Sequence, residues 1–164
     1  MDVMPNNSLD NALAKLKSTI NTLPTKQQTI ITAWLDKWNS LLSREKAFKP
    51  ELMPSYKRGD IVYVDFGWNI GNEYGGIHYS AVVENNTPKG SGTILVVPLT
   101  SFNADKTSAD VAWHDVYLGN GIIPWTSLDT VAKPSHIRAV SKMRIVKPVK
   151  KVTSGRGSLM HTWT

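Results

Sequence analysis

Lys57-Arg58-Gly59-Asp60-Ile61-Val62-Tyr63-Val64-Asp65-Phe66 opens the part of the chain that decides its fold. A Gly-Asp turn leads straight into six residues that are mostly β-branched or aromatic, the signature of a strand. Six further short runs follow: Ile77 to Glu84, Thr93 to Leu99, Val111 to Leu118, Thr130 to Ala132, Ile137 to Val140 and Met143 to Val146. Gly, Asn and Pro punctuate them, notably in Asn85-Asn86-Thr87-Pro88-Lys89-Gly90-Ser91-Gly92. Many short strands with such turns predict a small antiparallel barrel.

Upstream the periodicity changes. Leu9, Leu13, Leu16, Ile20 and Leu23 recur at spacings of 4, 3, 4 and 3, which is one apolar stripe of a helix. Ser8 suits its N-cap and Pro24 stops it. Thr25-Lys26-Gln27-Gln28 reads as a capping box. It opens a second stripe of Ile31, Trp34, Leu35, Trp38, Leu41 and Leu42. The short link predicts an antiparallel helical hairpin. Such a pair cannot bury its apolar faces alone, so it packs on the rest of the chain or on a second copy. The expected organisation is a hairpin over 1–50, a Pro-containing linker over 51–56, the barrel over 57–150 and a mobile basic tail over 151–164.

The chain of 164 residues is long enough to fold without staples. It has no cysteine, which excludes a disulfide scaffold, a zinc ribbon and thiol catalysis. No apolar run approaches the ~18 residues of a membrane span, and the N-terminus lacks a signal-peptide core, so the expected location is cytoplasmic with no membrane contact. The net charge of +6 is unevenly spread. From Lys133 onward there are eight basic residues and no acid, whereas residues 51–132 hold four bases (Lys57, Arg58, Lys89, Lys106) and nine acids. A basic segment of this kind suits a polyanion such as nucleic acid, or is a solvated tail. His78, His114, His136 and His161 lack metal-ligand spacing, so neither a metal nor a cofactor is expected. The glycine-rich loop over 67–76 leads into no helix and is not a dinucleotide cradle.

Lys57 to Val64, then Gly71-x-Glu73-x-Gly75-Gly76, Ala81-Val82-Val83 and Val96-Val97-Pro98-Leu99-Thr100-Ser101, resembles the MazF/PemK family of toxin endoribonucleases in order and spacing. A second block, Ser127 to Ile145, is similar to the family stretch that ends in Ile-Arg-Thr-Ile-Asp-Lys. Here it reads Ile137-Arg138-Ala139-Val140-Ser141-Lys142. The resemblance implies an SH3-like antiparallel barrel, a homodimer, inhibition by a cognate antitoxin, and metal-independent cleavage of single-stranded RNA through a ribose 2′-hydroxyl. Carried onto this chain it implies catalytic roles for Thr100, Ser101 and Arg138, and a loop-orienting role for Glu73. Where the family has a catalytic arginine after Gly-Gly, this chain has His78. A histidine can move a proton near neutral pH, but it is no permanent phosphate clamp. An Arg and an Asp used by some members become Lys133 and Ser135. Arg58, Lys133, His136, Lys142 and Arg144 are the candidate RNA contacts, with His136 and Arg138 expected on one strand face. The alternative is a non-catalytic barrel module that binds nucleic acid or a protein.

Overall fold

The computed structural model describes residues 6–85, 87–102, 106–123 and 126–148. It divides into two compact units, residues 1–46 and 47–164. The expected basic tail over 151–164 and the side chain of Lys147 lie outside what is described.

The first unit holds helices α1 (Asn6–Asn21) and α2 (Thr25–Glu45). They are separate helices around Pro24, as the two stripes predicted. The capping box is not formed: Pro24 is the N-cap and no side chain caps it. Gln28 instead turns its amide Nε2 back onto the end of α1, donating to the carbonyls of Leu23 (2.7 Å) and Asn21 (3.3 Å). Those carbonyls have no intrahelical partner, so they compete successfully for the side chain. Ile31 and Leu41 of α2 are buried, while Leu9, Leu13 and Leu16 of α1 are exposed.

The second unit is built on strands β1 (Ile61–Asp65), β2 (Ile77–Val82), β3 (Thr93–Ser101), β4 (Val116–Gly119), β5 (Thr130–Ala132), β6 (Arg138–Ser141) and β7 (Ile145–Pro148). All pairings are antiparallel, in the order β4-β5-β3-β2-β1-β7, with β6 beside the first half of β3. The long strand β3 therefore serves two partners on one side: β6 from Thr93 to Val96, then β5 from Leu99 to Ser101. The expectation of a closed barrel is not met among the described residues, where nothing pairs β7 back to β6 or β4. Residues 142–144 join β6 to β7 without adding a ladder. They form a 3-10 turn, not a strand, and the Ser141 hydroxyl caps it by accepting from the Met143 amide at 3.2 Å. This turn carries the chain covalently from β6 to β7 at the far edge. The strand expected over Val111–Leu118 likewise shortens to β4. The residues before it make a 3-10 turn in which Thr107 and Asp110 cap each other.

Strand alternation buries both faces of the sheet. Val62, Val64, Val82, Val96, Ile94 and Val140 gather with Phe66 and Tyr56 on one side. Ile61, Ala81, Val97, Leu99 and Ala132 gather with Ile123 on the other. Each fully buried Val, Ile or Leu contributes about 1.5–3 kcal/mol relative to exposure. Tyr56, expected in a linker, is a core residue, and its carbonyl accepts from the Thr87 amide.

Candidate active site

The loop between β1 and β2 is closed on itself. The Phe66 amide donates to the Gly76 carbonyl, and the Gly76 amide donates to Gly67. A Cβ on Gly75 would stand 2.9 Å from the Gly67 carbonyl oxygen, so the close approach of the two loop arms requires glycine there. Asn69 Nδ2 donates to the Tyr74 carbonyl at 2.7 Å and fixes that residue at the rim of the core.

Tyr74 is the hub. Its ring meets Phe66 edge-on at 5.9 Å, His78 at 4.5 Å and His136 at 5.1 Å. Its hydroxyl lies 3.3 Å from His78 Nδ1, and the Thr100 side chain is near enough to influence the phenol. The register explains the meeting. Ser80 pairs with Pro98, so His78 and Thr100 lie across from one another as that ladder is extended two residues. Val96 pairs with Arg138, which places the arginine on the same face. Ser101 follows Thr100 and so points to the other face.

Burial pushes the His78 imidazole below its usual range, partly offset by the Gly75 backbone. It is therefore neutral at pH 7. With its ring N–H on Nε2, neutral His78 keeps a lone pair on Nδ1 that can accept from the Tyr74 hydroxyl. Burial, with the nearby Asp115 carboxylate, pushes the Tyr74 phenol up, against a lowering by the Thr100 hydrogen bond. The phenol is protonated at neutral pH.

An open cleft of about 250 Å³ is lined by Glu73, Tyr74, His136, Ile137 and Arg138. His136 ends the 3-10 turn Pro134–His136 and Arg138 begins β6, so they are not on one strand as expected, yet both line the cleft. The Arg138 guanidinium stands 5.9 Å from the centroid of the Phe66 ring. Among the described residues no carboxylate pairs with it. Burial, and then the nearby Arg138 guanidinium, push the Arg144 pKa down, against a raising by Asp65. Arg144 Nη1 donates to the carbonyls of Phe66 (3.1 Å) and Asp65 (3.3 Å). Arg144 thus ties the start of β7 to the end of β1 and the loop that follows it.

The remaining candidates sit elsewhere. Lys133 makes a 2.6 Å ion pair with Asp115, whose side chain is almost wholly buried, so its charge is largely matched within the chain. Lys142 is fully buried; burial pushes its pKa down, and Nζ reaches the Pro88 carbonyl at 3.5 Å. It supports the chain at Pro88 and is not available to a phosphate. Arg58 Nε donates to the Val83 carbonyl beyond the end of β2 opposite His78, so the fold keeps it away from the cleft.

The model of the PemK-like, MazF-like toxins of type II toxin–antitoxin systems matches residues 57–157, more than half of the chain. The chain belongs to this family. Comparison with curated proteins gives no match. As a PemK-like toxin it implies an antitoxin partner. Among the described residues no helix is long and apolar enough to cross a membrane, and no three His, Asp or Glu side chains are grouped so as to hold a metal ion. The matched segment carries Tyr74 and Asp115, which sequence reasoning passed over. Tyr74 had a signal, being an aromatic set inside a glycine loop between Glu73 and Gly75. Asp115 had none, because only the fold brings it to Lys133.

Proposed function

We propose that this toxin is an endoribonuclease that cuts single-stranded RNA without a metal in the step. The observation that carries the reading is the Tyr74 hydroxyl, 3.3 Å from neutral His78 and beside Thr100, at the edge of a cleft lined by His136 and Arg138. Cleavage forms a bond from the ribose 2′-oxygen to phosphorus and breaks the bond from phosphorus to the 5′-oxygen. The 2′-hydroxyl proton passes to Tyr74 Oη as the phenol's own proton passes to His78 Nδ1. The imidazolium form of His136 gives its own proton to the leaving 5′-oxygen and ends neutral. Arg138 and Thr100 face the non-bridging oxygens, where the phosphorane gains charge. Glu73 at the cleft rim orients the loop. The same reading takes the open sheet as an SH3-like barrel, the toxin as a homodimer, and the antitoxin as a chain that covers the cleft. The histidine that replaces the family arginine thus changes role from phosphate clamp to proton acceptor.

Purified toxin in EDTA, given a long single-stranded RNA and the same RNA as a duplex, is expected to fragment only the single strand. Intact RNA in both tubes contradicts the reading. The second reading, a non-catalytic module that binds RNA or a protein, is favoured by one observation. With Lys133 matched by Asp115 and His78 neutral, Arg138 is the cation lining the cleft. Tight RNA binding with no cutting would establish it.

A further inference from the structure

Independently of that activity, the exposed stripe of α1 has a spacing and a charge pattern that together name its occupant. Leu9, Leu13 and Leu16 remain 60%, 54% and 42% exposed. They keep these exposures with α2 present, so α2 does not cover them. Single exposed leucines are ordinary, but a row of them at helical spacing is not. The spacings of 4, 3 and 4 from Leu9 to Ile20 are those of a heptad seam, with Leu9 and Leu16 at d and Leu13 and Ile20 at a.

That phase puts Asp10 and Lys17 at successive e positions. When two such helices pair antiparallel about a two-fold axis, Leu13 of one faces Leu16 of the other, and Leu9 faces Ile20. Flanking e positions then face each other, so Asp10 of each copy meets Lys17 of the other, twice by symmetry. In a parallel pair the e positions face g, here Ala12 and Thr19, and no charge is matched. Both charged side chains are exposed and so free to make the contact. We propose that α1 is a self-association element, pairing antiparallel with α1 of a second copy of this chain through Leu9, Leu13, Leu16 and Ile20. The family match begins at residue 57, so this surface is additional to whatever the toxin fold itself does. A seam of four layers is short, and a dimer held by it alone is weak. On the homodimer proposed above it adds a second link between copies already brought together, where a high effective concentration makes a weak contact count.

The chain has no cysteine, which makes disulfide trapping specific. The full-length variant Leu13→Cys with Leu16→Cys, mildly oxidised, is expected to form a covalent dimer on a non-reducing gel. A control pair at the same spacing on the opposite face, Lys15→Cys with Ser18→Cys, is expected to stay monomeric. In otherwise native protein, Asp10→Lys replaces two attractions by two repulsions and is expected to weaken self-association about tenfold in sedimentation equilibrium. Adding Lys17→Asp restores it. Asp10 is a surface residue, so its variant keeps the fold. Equal trapping of both cysteine pairs, trapping of neither, or failure of the double reversal to restore association would each overturn the proposal.

Discussion

Replacing Tyr74 by phenylalanine separates proton transfer from packing, because it removes one oxygen and leaves the ring. The three ring contacts, to Phe66, His78 and His136, survive the change. What is lost is the hydroxyl's link to His78 Nδ1, long at 3.3 Å, and its polar contact with the Thr100 side chain. A net hydrogen bond contributes about 0.5–1.5 kcal/mol, so the folded state weakens by about 1 kcal/mol and stays populated in the assay. Cleavage falls much further. A positioned proton-transfer group contributes about 10²–10⁴-fold, equivalent to about 3–5 kcal/mol of barrier. Single-turnover cleavage of an end-labelled single-stranded RNA, with toxin in excess, reads this directly. The wild-type rate should climb as pH rises through a value below 6.5, because burial holds His78 below its ordinary pKa and only its neutral form accepts the proton. Tyr74→Phe loses the climb. A Tyr74→Phe rate within about threefold of wild type, or an unchanged acid limb in His78→Ala, would refute the relay.

Restoring the family residue by His78→Arg should lower cleavage, since an arginine cannot accept the phenol's proton; a higher rate would show that the site needs a clamp there. The His78 pKa is depressed in the fold, so its contribution to stability is full above pH 6.5 and fades as pH falls through the folded value. His78→Gln should therefore flatten this part of the acid sensitivity in thermal melts. Arg138→Ala should reduce the magnitude of the log–log salt slope of RNA binding by about 0.7 and leave stability near wild type. Buried Lys142→Met should leave that slope untouched, and a changed slope would place Lys142 at the RNA after all. Gly75→Ala forces a Cβ to within 2.9 Å of the Gly67 carbonyl oxygen and should destabilise the loop by about 1–3 kcal/mol, measured as a shift of the urea midpoint.

The parts of this molecule that repeat with a period were legible in its sequence. The stripes on either side of Pro24 gave two helices, and the β-branched runs gave strands that begin at Ile61, Ile77, Thr93 and Thr130. The parts that depend on long-range meetings were not. Residues 142–144 look like strand because Met143 and Ile145 alternate with bases, but the Ser141 cap and the burial of Lys142 turn them into a 3-10 corner. Lys142 itself reads as one more base in a basic run, and no local pattern marks it as interior. The same holds at the cleft. His78, Thr100 and Arg138 could be brought together by family likeness, whereas Tyr74 as their connector and Asp115 as the partner of Lys133 follow from sheet register and loop closure.

The central claim is the route of the reaction, and the chemistry of the cut ends tests it most directly. RNA cut by the toxin in EDTA should carry a 2′,3′-cyclic phosphate, or the monophosphate formed when it opens, on the upstream fragment and a free 5′-hydroxyl on the downstream one. That pairing is the only outcome of attack by the neighbouring 2′-oxygen. Fragments bearing a 5′-phosphate and a 3′-hydroxyl, or cleavage that survives replacement of the 2′-hydroxyl by hydrogen at the cut site, would mean that water attacks instead and would contradict the account.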